Sequence, residues 1–384
     1  NKVSLMAIGG DADISLLDSI RLIYWSTYTA QEDQLKCTAP GGSQVVIDGF
    51  TTSRVRVVDI TDPKTVQELS GVVRSQRAGY AIRVPVPEGG PRTLLAFTED
   101  RVEKPADLQL NEPSSWHQAR NGADFVMISH ALFLENLKPL KALREAQGYS
   151  VALIDVEDLY NEFSYGHKTP QAIRDFLIQA TSYWRKPPRF VLLAGDASYD
   201  PRNYLGLGNF DLVPTKTVET VFMEAPSDNW FADTSGDGIP DLAIGRLPVR
   251  TVEEATTVIS KIIAYDQTSG PLKDVLLVAD MADKDFDFEK AASQVGSLFP
   301  STLTVWGISR ASFDNDGEVK SELLRHLNEG RLWVNYIGHG SMDFWRGNIF
   351  TSKDAQALTN SKRLSLFVNM TCLNGSFYSP NSDS

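Results

Sequence analysis

The sequence predicts an α/β domain with a doubly wound, mostly parallel sheet, preceded by an all-β sandwich. Two observations lead to this fold class. In the first 120 residues, short β-rich runs are separated by Gly, Pro and Asp and almost lack helical periodicity, as in β-sandwiches. After residue 120, continuous apolar runs alternate with amphipathic segments, which indicates parallel strands covered by helices on both faces. We therefore predict a sandwich over residues 1–120 and an α/β domain over residues 121–384.

The predicted sandwich is built from runs rich in branched and aromatic residues, which favour strands. The four clearest runs are residues 19–28, 53–61, 78–86 and 93–99. The segment 104–123 is polar and interrupted by prolines. Such a composition is typical of a linker between two domains.

The predicted α/β domain contains seven apolar runs and at least four helical segments between them. The strands are residues 124–129, 150–156, 189–196, 274–280, 302–308, 332–338 and 364–371. The helices are residues 134–147, 169–180, 251–266 and 319–330. The helix at 169–180 starts with Thr and Pro, and the helix at 251–266 starts with a Thr-x-x-Glu capping box. Functional residues of such sheets gather at the carboxyl ends of the strands.

Bulk composition argues against several classes of protein. The chain has 384 residues and a net charge of −12, whereas binding to nucleic acid needs clustered Lys and Arg. No apolar run approaches the roughly 20 residues that a membrane-spanning helix needs. The two cysteines, Cys37 and Cys372, lie far apart, which argues against a disulfide framework and against a cysteine zinc site. We expect neither a nucleic-acid partner nor a transmembrane segment.

A histidine and a cysteine follow the last two predicted strands. His339 lies between two glycines after strand 332–338, and Cys372 follows strand 364–371. A thiol nucleophile needs a nearby imidazole to exchange its proton. The oxyanion formed in acyl transfer needs N–H donors, which the backbones of Gly340 and Cys372 could supply. The alternative is a small buried cysteine and an ordinary histidine, and the residues alone leave both interpretations open.

A glycine-containing acidic loop predicts a structural Ca²⁺ site. The predicted ligands are Asp233, Ser235, Asp237 and Asp241. Calcium takes six to eight oxygen ligands, and the run is similar to D-x-D-G-D-G-x-x-D loops, with Ser in place of one Asp. We expect this Ser to weaken binding. The alternative is an Asp-Gly turn whose carboxylates cap the backbone.

Two long stretches resemble the gingipain family of cysteine peptidases, which belongs to the caspase-like clan. They are WVNYIGHGSMDFWRGNIF (333–350) and LTNSKRLSLFVNMTCLNGSF (358–377). The shared pattern is a His-Gly after one strand and a Cys after the next, and looser similarity extends over residues 124–377. The resemblance implies a caspase-like fold and peptide-bond hydrolysis through a thioester, with His339 as general base and Cys372 as nucleophile.

The resemblance also implies further site residues in the stretch after strand 274–280. An acid there orients the imidazole in gingipains, and both Asp280 and Asp283 are candidates because the stretch is too acidic to align uniquely. The Arg-specific gingipains carry a specificity-pocket acid in this same stretch, which makes Asp287 the candidate selector of basic residues. Outside this stretch, Trp345 in the motif at 333–350 is a second expected substrate-binding residue. The alternative for these acids is a helix N-terminus, where the helix dipole favours Asp.

The expected function is that of an endopeptidase acting on protein or peptide substrates, secreted or at a bacterial cell surface, without an organic cofactor. Relatives continue beyond the point that corresponds to Ser384, so we expect the catalytic domain to be incomplete in this sequence. Two alternatives remain. One is a transpeptidase of the type IX secretion sortase kind, which joins an acyl group to an amine. The other is a catalytically silent calcium-binding or adhesion module.

Overall fold

A computed structural model describes residues 4–6, 20, 24–105, 110–221, 223–267 and 272–381. The chain divides into two compact units, Asn1–Glu112 and Pro113–Ser384. This division falls inside the polar segment 104–123, slightly before the boundary predicted at residue 120. The predicted strand at 19–28 lies partly outside the described residues, and its described part forms no strand.

The first unit consists of antiparallel strands. They are β1 (Gln34–Ala39), β2 (Gln44–Phe50), β3 (Val55–Asp59), β4 (Gln67–Glu68), β5 (Val72–Gln76), β6 (Gly79–Pro85) and β7 (Arg92–Thr98). One sheet has the order β1-β7-β3-β4 and the other β2-β6-β5. Residues of both sheets share one buried cluster, which includes Ala39, Ile47, Val57, Val84 and Leu94. The predicted all-β architecture is confirmed, although the sequence patterns missed β1, β2, β4 and β5.

The second unit contains two parallel sheets. The first consists of β8 (Phe125–Ser129), β9 (Val151–Asp155), β10 (Phe190–Ala194) and β13 (Ala243–Leu247), in the order β13-β10-β8-β9. The second consists of β14 (Asp274–Ala279), β15 (Thr304–Ser309), β16 (Trp333–Ile337) and β17 (Leu366–Met370), in the order β15-β14-β16-β17. A short hairpin of β11 (Thr217–Glu219) and β12 (Glu224–Pro226) lies between β10 and β13 in sequence. The α/β class is confirmed, and its strands are shared between two sheets.

Helices connect and cover these strands. They are α1 (Leu134–Ala146), α2 (Val156–Ser164), α3 (Pro170–Tyr183), α4 (Asn229–Ala232), α5 (Val252–Gln267), α6 (Phe288–Gly296), α7 (Asp316–Glu329) and α8 (Ser352–Gln356). The Thr169 side chain caps α3 and a proline follows it, as predicted. At the start of α5, Thr251 Oγ1 accepts the N–H of Glu254 at 3.2 Å. No helix among the described residues is long and apolar enough to cross a membrane.

The second sheet of this unit is covered on both faces. On one face Leu323 and Leu327 of α7 are fully buried against Leu276 and Val334 of the sheet. On the other face Phe288 and other residues of α6 pack against Ala279 and Ile337. Burying one such leucine stabilises the fold by about 1.5–3 kcal/mol. A sheet held in this way is a rigid support for the loops at its carboxyl edge.

Candidate active site

Three neighbouring strands of the second sheet end at the same level. β14, β16 and β17 are parallel, and their register aligns Ala279 with Ile337 and Ile337 with Met370. Asp280 follows its strand directly, and His339 and Cys372 are each the second residue past theirs. The topology therefore brings these three residues to one edge of the sheet.

The loop after β16 packs closely against the loop after β17. The Gly338 N–H donates to the carbonyl of Met370 at 3.3 Å. A Cβ added to Gly340 would lie 2.5 Å from Thr371 Oγ1, so a side chain at this position would require Thr371 to move. The Asn374 side-chain amide donates to the carbonyl of Ser341. The histidine loop and the cysteine loop are therefore in direct contact.

The imidazole of His339 is held by an aspartate and an aromatic ring. Its Nε2 lies 2.7 Å from Asp283 Oδ2, and the Phe288 ring packs edge-on, with centroids 5.1 Å apart. The hydrogen bond from His339, together with the N–H groups of Asp285 and Phe286, lowers the pKa of Asp283 to about 2. An ionised carboxylate only accepts hydrogen bonds, so Nε2 carries the proton of this bond. The other ring nitrogen, Nδ1, takes no part in it.

Asp280 contacts the backbone of His339 rather than its ring. Its side chain is fully buried and accepts the His339 N–H at 3.1 Å. It also forms an ion pair with Arg310 at 2.9 Å, and Arg310 in turn binds both carboxylate oxygens of Asp316 at 2.6 and 2.9 Å. A buried charge needs such partners. Of the two acids that the sequence left open, Asp283 contacts the imidazole and Asp280 holds the chain that carries it.

Cys372 is exposed at the start of a tight turn. The Asn374 N–H donates to the Cys372 carbonyl at 2.9 Å, and Leu373 between them has a φ of 63°. Within the described residues, no backbone or side-chain acceptor takes the N–H of Cys372 or of Gly340. Two candidate oxyanion donors therefore lie on the two loops that meet at this sheet edge, one of which carries the exposed thiol.

The two predicted substrate-binding residues differ in their surroundings. Asp287 is exposed and caps α6, since its Oδ1 accepts the Lys290 N–H at 2.9 Å. Trp345 is only 2% exposed. Its ring stacks on Tyr336 with centroids 4.1 Å apart and planes 5° apart. Because a buried ring cannot contact a bound peptide, Trp345 packs the core below the site, contrary to the expected substrate contact.

The acidic loop is closed by its own hydrogen bonds. Asp233 accepts the N–H groups of Gly236, Asp237 and Gly238, and Asp241 accepts those of Thr234 and Ser235. Within the part of the chain that the structure describes, no group of three or more His, Cys, Asp or Glu residues is arranged to hold a metal ion. These bonds match the alternative of a capped Asp-Gly turn. Calcium binding by Asp233, Ser235, Asp237 and Asp241 stays a prediction from the sequence.

Sequence reasoning missed three residues that shape this site, namely Phe288, Arg310 and Asn374. A signal existed for two of them. Arg310 directly follows β15, so the rule that directs attention to strand ends would have found it. Asn374 lies within the Cys-x-Asn-Gly motif itself. Phe288 carried no signal, because an aromatic residue in the first turn of a helix usually belongs to the core.

Comparisons with known proteins agree with this architecture. The model of peptidase family C25 matches residues 118–384. Lys-gingipain W83 of Porphyromonas gingivalis is 27% identical over 160 residues, which are 39% of this chain and 9% of that protein. Gingipain R2 of Porphyromonas gingivalis is 25% identical over 216 residues, which are 54% of this chain and 27% of that protein. The chain thus spans less than a third of the length of these relatives.

A solved structure shares the fold. The crystal structure of the Arg-specific cysteine proteinase gingipain R has a TM-score of 0.52 and 20% identity, over 70% of this chain and 58% of that chain. The family match covers more than half of this chain and includes the loops that carry His339 and Cys372. The chain therefore belongs to peptidase family C25, the gingipain family of cysteine peptidases.

Proposed function

We propose that this chain is a cysteine endopeptidase that hydrolyses peptide bonds in protein or peptide substrates. Family membership supports the reaction class. The observation that carries the proposal is the 2.7 Å hydrogen bond between His339 Nε2 and Asp283 Oδ2, at a strand end next to that of Cys372. An oriented imidazole beside a thiol is what nucleophilic catalysis by cysteine requires.

In the first half of the reaction, Cys372 Sγ attacks the carbonyl carbon of the scissile peptide bond. His339 Nδ1 takes the thiol proton and then gives it to the leaving amine as the C–N bond breaks. The product is a thioester between Cys372 and the acyl part of the substrate. In the second half, water attacks the thioester carbonyl and gives a proton to His339. The C–S bond breaks, the carboxylic acid leaves, and the proton returns to the thiol.

The N–H groups of Gly340 and Cys372 bind the oxyanion in each half-reaction. Their lack of an acceptor among the described residues supports this role. Removing one oxyanion donor typically costs 10²–10³-fold in kcat. The close approach of Gly340 to Thr371 also supports it, because a side chain at this position would force the Thr371 side chain to move.

Asp283 keeps Nε2 protonated and stabilises the imidazolium that forms when the thiol loses its proton. Asp280 holds the backbone of His339 at the sheet edge. A charged partner in a partly buried position is worth more than one in water, and the Asp283 side chain is only 29% exposed. This division of roles accounts for two acids so close together in sequence.

Asp287 is the proposed selector of basic residues in the substrate. It directly precedes Phe288, whose ring packs against the His339 imidazole, so it lies near the proposed general base. One of its oxygens caps α6, and a second carboxylate oxygen remains on the same exposed side chain. Peptides with Lys or Arg before the cleaved bond should be preferred. Asp287→Asn should raise KM for these peptides and leave it unchanged for neutral ones.

The proposed activity can be tested with a thiol-directed peptidyl probe and a fluorogenic peptide library. The probe should label the full chain, and labelling should be lost in Cys372→Ala and in His339→Ala. Cys37→Ala is the matched control, since it removes the other cysteine and should retain labelling and turnover. Labelling that persists in Cys372→Ala, or a chain that neither reacts with probes nor cleaves any peptide, would contradict the proposal.

We also infer that the chain acts outside the cytoplasm, secreted or at a bacterial cell surface. Its resemblance to the gingipain family supports this location. Fractionation of the producing cells, followed by immunodetection of the chain, tests it. The chain should appear in the medium or on the surface of intact cells, and detection in the cytoplasm alone would contradict the inference.

A further inference from the structure

The turn that begins at Cys372 has an unfavourable backbone conformation. Leu373 has a φ of 63°, in the left-handed region that side chains other than glycine rarely adopt. Asn374 closes the turn, since its N–H donates to the Cys372 carbonyl at 2.9 Å. A hydrogen bond between residues two apart with a positive central φ defines a strained γ-turn. Such strain persists only where the surrounding structure enforces it.

The Asn374 side chain ties this turn to the histidine loop. Its Nδ2 donates to the carbonyl of Ser341 and reaches that of Met342 at 3.5 Å. Ser341 is the second residue after His339. On the other side of the turn, the Ser376 N–H donates to the Leu373 carbonyl at 3.0 Å. The strained residue is therefore held from both sides, and one of these contacts leads directly to the loop of the proposed general base.

We propose that Asn374 is a positioning residue, which holds the strained turn so that Cys372 Sγ faces the His339 imidazole. The inference rests on the proposed function and adds a residue that acts through the nucleophile rather than on the substrate. An amide suits this task because it donates to two carbonyls without adding a charge. A carboxylate in the same position would repel both carbonyl oxygens.

The experiment compares Asn374→Ala and Asn374→Asp with a matched control. Asn360→Ala is the control, because Asn360 is buried and, like Asn374, donates through Nδ2 to a carbonyl, that of Leu327 at 3.1 Å. Asn360 precedes β17, at the opposite edge of the same sheet from Cys372. All variants are measured in the full chain for kcat and KM on one peptide, for the rate of Cys372 alkylation by iodoacetamide, and for Tm.

Both Asn374 variants should lose about 10–100-fold in kcat, since small displacements of a reacting group cost this much. Their KM should stay within about 3-fold, because substrate contacts do not change. Their rate of alkylation should also fall, because the thiol no longer faces the imidazole. Asn360→Ala should lower Tm by about as much as Asn374→Ala does, but it should keep kcat within about 2-fold of the wild type.

Three results would overturn the proposal while the proposed function stands. The first two are wild-type kcat in Asn374→Ala and wild-type kcat in Asn374→Asp, which lacks the donor. A kcat loss in Asn360→Ala as large as in Asn374→Ala would do the same, since general destabilisation would then explain both. If wild-type turnover persists in Cys372→Ala, the proposed function itself fails and the positioning role fails with it.

Discussion

His339 Nε2 and Asp283 Oδ2 lie 2.7 Å apart at the carboxyl edge of a parallel sheet. The same aspartate accepts the N–H groups of Asp285 and Phe286, so its position is fixed independently of the histidine. Asp280, only three residues earlier, is fully buried and points to Arg310 and to the backbone of His339. Two neighbouring acids thus hold the ring and the chain of one histidine.

Asp283→Asn should lower kcat by about 10–100-fold, because the imidazolium formed during the reaction loses its charged partner. The pKa of Asp283 is lowered to about 2. The stabilising charge of this carboxylate is therefore fully present above the ordinary aspartate pKa near 4. It is lost only as the pH falls through about 2. The deficit should accordingly persist throughout a profile from pH 5 to pH 9. Asp285→Asn, an exposed neighbour, is the control, and an equal loss there would contradict a specific role of Asp283.

Asp280→Asn should lower the free energy of unfolding by about 3 kcal/mol or more, because it leaves the partly buried Arg310 without one of its two charged partners. Denaturant unfolding measures this change. Asp316→Asn removes the other partner, whose side chain is 42% exposed, and should cost less. The explanation is wrong if Asp316→Asn is the more destabilising of the two variants.

Trp345→Ala should destabilise the chain by about 3–5 kcal/mol, as expected for deletion of a large buried ring. Trp345→Phe should cost less, because it still stacks on Tyr336. If packing is the whole role of Trp345, the folded Phe variant should show wild-type KM for peptides. A large rise in KM without loss of stability would instead restore Trp345 as a substrate-binding residue.

The loop at 233–241 should keep its structure without calcium, because Asp233 and Asp241 already accept its backbone N–H groups. Melting in calcium and in EDTA should therefore give the same Tm, and Asp241→Asn should lower Tm in both. If the loop binds calcium, as predicted from the sequence, the opposite result is expected. In that case calcium raises Tm in the wild type and has no effect in Asp237→Ala.

Local sequence patterns located most elements of the second unit. All seven predicted strands and all four predicted helices are present, because continuous apolar runs and helical periodicity reflect burial directly. The patterns missed the β11–β12 hairpin and the helices α2, α4, α6 and α8. They also missed β13, a short strand with a glycine and an arginine in its sequence, AIGRL. They also did not reveal that the strands form two separate sheets. Which strands pair with each other depends on the packing of several distant segments and not on the pattern within any one segment.

The sequence by itself determined the α/β class, the family, and the strand ends that carry His339 and Cys372, because these depend on periodicity and on motifs that are contiguous in the chain. Only the tertiary structure distinguished Asp283 from Asp280 as the partner of the imidazole. Several acids within a few residues are equivalent in sequence, and they become different only when one is buried beside Arg310 and another faces a histidine from a different strand. The same holds for Trp345 and Asn374, whose contacts with other segments exist only in the folded chain.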